Sequence, residues 1–343
     1  MKKLLLTGLC VVMFAAYAAA QKPYTVAFYN LENFFDIYDD PETFDEEFTP
    51  EGAKQWNQTK YDKKLANIER VLFDIAAIKK DYPVVIGVSE IENRSILEDL
   101  ISTPKLRGAN YRIVHYDSPD ARGVDCGFIY RPDVFKLQGS DNIKTVVPGL
   151  PNFRTRDLIV MWGTIDDEPF YFLVSHWPSR LGGKEASAFK RDACARQIRE
   201  IKDSLLKADP ATKVVVMGDF NDDATDRSVV ETLGAKGKIK KLETGDFYNP
   251  FVDMFKAGLG TLAYQDAWNL FDNICVTENL ATGSTGELRL LQGGSKFYGN
   301  IFSRPYMIQQ EGQYKGYPLR TFVGNNFQNG FSDHFPVYIY IGK

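Results

Sequence analysis

The sequence predicts an α/β fold in which two β-sheets pack face to face and helices cover them. Three observations predict it. Short runs rich in Val, Ile, Phe and Tyr recur between Gly, Pro, Asn and Asp. Two longer segments carry apolar residues at helical spacing instead. The elements follow the order β-α-β-β…β-α-β, with no linker, composition shift or fixed-period repeat to divide them.

The chain begins MKKLLLTGLCVVMFAAYAAAQ. Lys2 and Lys3 precede an apolar run from Leu4 to Ala16, and Ala18-Ala19-Ala20 gives a small-x-small site before Gln21. This reads as a signal peptide cleaved after Ala20, with export to the periplasm or beyond. The run is shorter than the roughly 20 residues of a membrane span. Cys10 lies inside it, which fits lipid attachment less well. The expected mature chain is a single domain over residues 21–343, monomeric, with no protein partner implied.

In order, strands are expected at Tyr24–Tyr29, Val84–Val88, Tyr111–His115, Gly127–Tyr130, Leu158–Thr164, Phe170–Ser175, Val214–Met217, Asn273–Thr277 and Pro336–Ile341. The first helix is expected over Lys60–Lys79, with Leu65, Ile68, Val71, Leu72 and Ile75 on one stripe. The second is expected over Ala186–Lys207, with Phe189, Ile198, Ile201 and Leu205 facing inward. Residues 36–51 hold eight carboxylates, read as a solvated loop or as a rim that repels anions or holds a cation. Residues 237–262 read as a surface hairpin, and the Gly-, Thr- and Asn-rich residues 278–300 as a long exposed loop.

Loss of Lys2 and Lys3 takes the formal charge from -4 to -6. That is not the basic footprint of a protein that grips nucleic acid through general charge, so a polyanionic substrate has to be held locally. Cys126, Cys194 and Cys275 form no CxxC pair, which argues against structural zinc and for three buried thiols.

Polar groups stand where the apolar strands end. Asn30 and Glu32 follow the first strand, Glu90 and Glu92 the second, and His176 the strand Phe170–Ser175. KVVVMGDFN delivers Asp219 and Asn221, and Asp333 and His334 precede the last strand. His115 lacks such company and reads as structural. Asn30, Glu90, Asp219 and Asp333 are hard oxygen donors suited to Mg²⁺ or Mn²⁺. Such an ion polarises a phosphoryl oxygen. Two histidines beside it fit phosphate ester hydrolysis better than acyl transfer, and no G-x-S-x-G turn is present.

These residues resemble a known family. FYNLEN, VIGVSEIEN, VSHWPSR, MGDFND, FDNICV and SDHFPV are similar, in order, to motifs of the endonuclease/exonuclease/phosphatase superfamily, the metal-dependent phosphoesterases that include DNase I-like nucleases. The resemblance covers about Tyr24 to Ile341. It implies a four-layer α/β sandwich with two mixed sheets and outer helices. It also implies metal binding by Glu90, Asn30 and Asp333, and catalytic roles for His334, Asp272, Asp219, His176 and Asn221. His334 oriented by Asp272 is one choice of base and Asp219 the other. Arg180 and Arg122 are substrate candidates, Arg180 equally readable as an ordinary ion pair, and Arg122 and Asp125 lie in a DARGVD segment like one beside the site in secreted relatives. Lys184, Lys190, Arg191, Arg196 and Arg199 read as a solvated helix face.

The expected function is hydrolysis of phosphodiesters, as a secreted nuclease acting on DNA or RNA with Mg²⁺ or Mn²⁺. A phosphatase or sphingomyelinase-like enzyme is the alternative. Exposed Phe247, Tyr248, Phe251 and Phe255 would favour lipid, whereas AWNLFDN standing where phosphoinositide phosphatases carry PAWCDR counts against that branch. A non-catalytic binding module is disfavoured by the retained set of polar residues.

Overall fold

The computed structural model describes residues 23–343. The expected signal peptide and its cleavage site lie outside the described residues. In chain order the strands are β1 (Tyr24–Phe34), β2 (Val85–Ile91), β3 (Arg112–His115), β4 (Asp125–Tyr130), β5 (Lys136–Ile143), β6 (Leu158–Ile165), β7 (Glu168–His176), β8 (Lys213–Asp219), β9 (Ala235–Lys236) and β10 (Phe247–Tyr248). They continue with β11 (Leu262–Tyr264), β12 (Ala267–Asn269), β13 (Asp272–Thr277), β14 (Arg289–Leu291), β15 (Gly299–Ile301), β16 (Phe322–Val323), β17 (Asn326–Phe327) and β18 (Val337–Gly342). The helices are α1 (Gln58–Lys79), α2 (Arg94–Ser102), α3 (Lys184–Ala208), α4 (Val252–Lys256) and α5 (Glu278–Thr282).

Two seven-stranded sheets result, one ordered β14-β18-β1-β2-β4-β3 with β15 also on β18, the other β5-β6-β7-β8-β13-β10-β9. Both are mixed: β1 runs parallel to β2, and β7 parallel to β8, among antiparallel neighbours. Side-chain alternation divides each strand between two cores. Val26, Phe28 and Val85 of the first sheet meet Phe170, Phe172, Val215, Met217 and Ile274 of the second in the inter-sheet core. The opposite faces are covered by helices: Ala27, Tyr29, Ile86 and Val88 pack with Ile68, Val71, Leu72 and Ile75 of α1, and Val214, Val216 and Cys275 pack with Cys194, Ala195 and Ile198 of α3. This is the layered α/β sandwich expected.

α1 starts where Asn57 accepts the Lys60 N–H and ends at Lys80, whose φ of 53° takes the chain into the left-handed region. Its stripe is as expected except that Leu65 is only half-buried. On α3, Phe189 is 46% exposed; the buried seam runs through Arg191, Cys194, Ala195 and Ile198 instead. Arg191, expected on a solvated face, is fully buried and paired with Asp222 at 2.8 Å. The aromatic residues 247, 248 and 251 do not form an exposed hairpin: Phe247 and Phe251 are fully buried and Tyr248 nearly so. Residues 278–300 hold α5, β14 and β15 rather than one long loop. All three cysteines are buried free thiols, and burial pushes the Cys194 thiol up to about 12. Among the described residues no helix is long and apolar enough to cross a membrane.

Candidate active site

The period of two that builds the inter-sheet core also aims its polar ends. On β1, Val26 and Phe28 face inward and Asn30 continues their row. On β7 the row runs Phe170, Phe172, Val174, His176; on β8 it runs Val215, Met217, Asp219. On β13 it runs back from Val276 through Ile274 to Asp272. Four buried polar groups therefore close one end of the apolar core. Glu90 is out of phase, because Ile86 and Val88 face the helices. A register shift between Ser89 and Ile91 and a φ of 59° at Glu90 mark a bulge there, which turns the carboxylate to the others.

Asp219 Oδ2 is the hub. Asn30 Nδ2 donates to it at 3.0 Å, His176 Nε2 stands 3.5 Å away and His334 Nε2 3.8 Å away. Asp219 Oδ1 accepts the Asn221 N–H at 2.9 Å. Glu90 Oε1 lies 3.4 Å from Asn30 Nδ2 and 3.8 Å from His176 Nε2, and its other oxygen accepts the Asn33 N–H at 2.9 Å. His334 Nδ1 and Asp272 Oδ2 are 2.7 Å apart. Ser332 ties the last segment to the first: its hydroxyl donates to Asn30 O at 2.7 Å and accepts the His334 N–H at 3.0 Å.

Burial separates the two histidines. For His176, burial first, then the positive field of Arg156, Arg122 and His334, holds the imidazole well below its ordinary range, and so neutral. For His334, burial opposes the charge, but Asp272 and Asp219 outweigh it and raise the imidazole well above that range. Burial raises Asp219 as well, with the negative charges of Asp272 and Glu90 adding and His334 opposing.

The structure thus brings Asn30, Glu90, His176, Asp219, Asp272 and His334 into one ring. Asp333 stands at its edge, one oxygen 3.9 Å from His334 Nε2 and the other held by Arg320 at 2.7 Å. Asn221 spends one amide N–H on Trp177 O at 2.9 Å. Arg122 reaches the rim through Asn33 Oδ1 at 3.3 Å. Arg180 does not join the ring. Its guanidinium bonds Asn221 O, lies within 3.3 Å of oxygens of Asp222, Asp223 and Asp226, and covers the Phe271 ring at 4.3 Å. The ion-pair alternative describes it, and the phosphate grip does not. Asn30 turns its amide nitrogen to the two carboxylates, while its amide oxygen accepts the Glu32 N–H at 2.9 Å. His115 pairs with Asp125 at 3.1 Å outside the ring.

Several supporting residues carried no local signal. Arg156 donates to Asp120 and to Trp177 O and contributes to the field on His176. Arg320 bridges Glu32 and Asp333. Trp268 of the β11–β12 hairpin stacks on Phe335, next to His334, at 6.1 Å, and Trp268 and Tyr264 remain 38% and 66% exposed.

The ring fits a divalent cation. Glu90 and Asp219 reach the same Asn30 nitrogen and the same His176 nitrogen, so two carboxylates crowd together in a buried place. Like charges so placed are relieved by a hard cation. Among the described residues, ligand atoms of Asp219, Asp272 and His334 also lie within 4.8 Å of one another, as do those of His115, Asp117 and Asp125.

Comparison with known proteins adds three findings. Residues 25–343 match the family model described as Endonuclease/Exonuclease/phosphatase family. No curated protein sequence matches. Solved structures do match in fold. An endonuclease/exonuclease/phosphatase family protein from Bacteroides thetaiotaomicron is 16% identical, with 93% of this chain and 94% of that one covered at a TM-score of 0.55. D. rerio TDP2 complexed with single-strand DNA product is 13% identical, with 94% and 100% covered at 0.54. A mannosyl-6-phosphatase from B. thetaiotaomicron is 16% identical, with 93% and 100% covered at 0.52.

Proposed function

Because the chain belongs to the endonuclease/exonuclease/phosphatase family, we propose that it hydrolyses phosphodiester bonds with Mg²⁺ or Mn²⁺, as an exported nuclease acting on DNA or RNA. The observation that carries this reading is the buried ring in which Asp219 Oδ2 faces Asn30, His176 and His334 while Glu90 crowds beside it. Glu90 is the residue to hold the cation, with Asn30 beside it and Asp333 at the edge. When bound, that cation supplies charge stabilisation at the phosphoryl oxygen.

The residues divide the remaining work. The raised Asp219 carboxyl suits it to take the proton of the attacking water. His334, kept cationic by Asp272, donates Nε2–H to a phosphoryl oxygen. Neutral His176 offers a hydrogen bond beside the leaving oxygen, and Asn30 steadies both carboxylates. Asn221 fixes the turn after His176 through Trp177 O, and Arg122 at the rim meets the substrate backbone. Exposed Trp268, stacked on Phe335 next to His334, gives a planar base a surface to stack on.

The test is a metal-dependent panel on the purified protein: plasmid DNA, RNA, bis-p-nitrophenyl phosphate, p-nitrophenyl phosphate and sphingomyelin, each with Mg²⁺, Mn²⁺ or EDTA. The expected result is cleavage of nucleic acid that EDTA abolishes. Activity on monoester or lipid alone would overturn the nuclease reading and leave a phosphatase or phospholipase with the same ring.

A further inference from the structure

A second feature lies away from the catalytic rim. Beside β10, near the β9 edge of the second sheet, a cleft of 620 Å³ opens between residues 237–241 and the segment 296–298 that leads into β15. Lys238, Lys240, Lys241 and Lys296 line it, against Asp253 as the one carboxylate. Asp253 is taken by Lys238 at 2.7 Å. Among the described residues, Lys240, Lys241 and Lys296 pair with no carboxylate, whereas neighbouring Lys236 is held by Asp246 at 2.6 Å. Three unneutralised ammonium groups in one cleft stand out on a chain whose formal charge is -4.

The cleft is not only charged. Tyr248 meets Tyr298 edge-on with centroids 6.1 Å apart, and Phe297 lies under the Lys296 ammonium at 5.1 Å. Phe297 and Tyr298 are half-buried, with ring surface left to the cleft. Aromatic faces interleaved with lysines suit a ligand whose flat groups alternate with phosphates. Position supports the same ligand. Tyr248 pairs with Val276, four residues from Asp272 along β13 (276 minus 272), which is roughly 13 Å of strand. That is a few nucleotides.

We propose that this cleft binds single-stranded nucleic acid at a site separate from the catalytic rim, holding the part of the chain a few nucleotides from the bond to be cut. The inference rests on the nuclease reading for the identity of its ligand. It accounts for how an acidic protein holds a polyanion: the attraction is local rather than spread over the surface.

The experiment measures fluorescence anisotropy of a dye-labelled oligothymidylate of about 12 nucleotides, within the site sizes such modules cover, on the full chain in EDTA. Lys240→Glu with Lys241→Glu should weaken binding at least about 10-fold. It should also reduce the magnitude of the log–log salt slope by about 1.4, two single-strand phosphate contacts. Its hydrolysis of bis-p-nitrophenyl phosphate with Mg²⁺ should equal that of the wild type. Phe297→Ala should weaken the oligonucleotide about 3- to 10-fold and leave binding of inorganic polyphosphate unchanged. Three results would overturn the proposal: no oligonucleotide binding by the wild type, wild-type binding by both variants, or an equal loss in a Lys63→Glu, Lys105→Glu control on another face. Loss of binding in the cleft variants of a protein that cuts no nucleic acid would keep the cleft and discard the nuclease reading. Intact cleavage with unaltered binding would do the reverse.

Discussion

Asp219 shows how one side chain can serve four neighbours. Its Oδ2 faces Asn30, His176 and His334, and its Oδ1 is fixed by the Asn221 N–H. Removing a member of such a set lowers turnover without unfolding the chain. Glu90→Gln and His334→Ala should each reduce the rate of phosphodiester hydrolysis by at least about 10²-fold. Near-wild-type kcat in both would discard the assignment. Arg180 behaves differently, because its partners are the carboxylates of Asp222, Asp223 and Asp226 beneath the Asn221 turn. Arg180→Ala leaves Asp223 without a cation, while Arg191 still holds Asp222 and Lys184 still holds Asp226, and should destabilise the fold by about 1 kcal/mol. Denaturant unfolding reads that loss, and an unchanged midpoint would show the ion pairs to be idle.

At the scale of the element, β7 and β8 run parallel with Ser175 opposite Gly218. A Cβ on Gly218 would sit 1.8 Å from Ser175 O, which is backbone and cannot swing aside. Gly218→Ala should therefore cost about 1–3 kcal/mol and push Asp219 away from His176, lowering the melting temperature and the rate together. A loss of stability alone would mean that the two strand ends yield independently. The same scale shows what could be read from sequence. β8 was legible because KVVVMGD is a continuous apolar run buried on both faces. β5, KLQGSDNI, was not, because an edge strand with neither face fully buried shows no apolar pattern. α2 is nine residues long with three buried positions, too short for a period to emerge, although its Asn93 cap was a usable signal. Asp219 and His176 were legible because each prolongs an apolar row, whereas Asp272 was reached only through the resemblance of FDNICV to a family motif. Glu90 was legible as a polar strand end, but its direction was not, since parity points it at the helices and only the bulge reverses that. Arg156, Ser332 and Arg320 act through contacts far along the chain, which no local pattern records.

For the whole molecule, a cation held by the crowded carboxylates should raise stability. Mg²⁺ at about 100 times its dissociation constant should add about 2.7 kcal/mol, read as a rise in melting temperature that EDTA reverses. Glu90→Gln should shrink that rise, and an equal rise in the variant would place the ion elsewhere. Both sheets contribute to the ring: Asn30 and Glu90 come from one, His176, Asp219 and Asp272 from the other, and His334 from the approach to β18. β1 pairs with β18, so Tyr24 lies against Ile341. Contacts between such distant segments form late in folding, after large loops have closed. The ring is thus a clock for its own assembly. During refolding, turnover should lag behind the return of helical signal, and every partly built species should be silent until the two sheets have met.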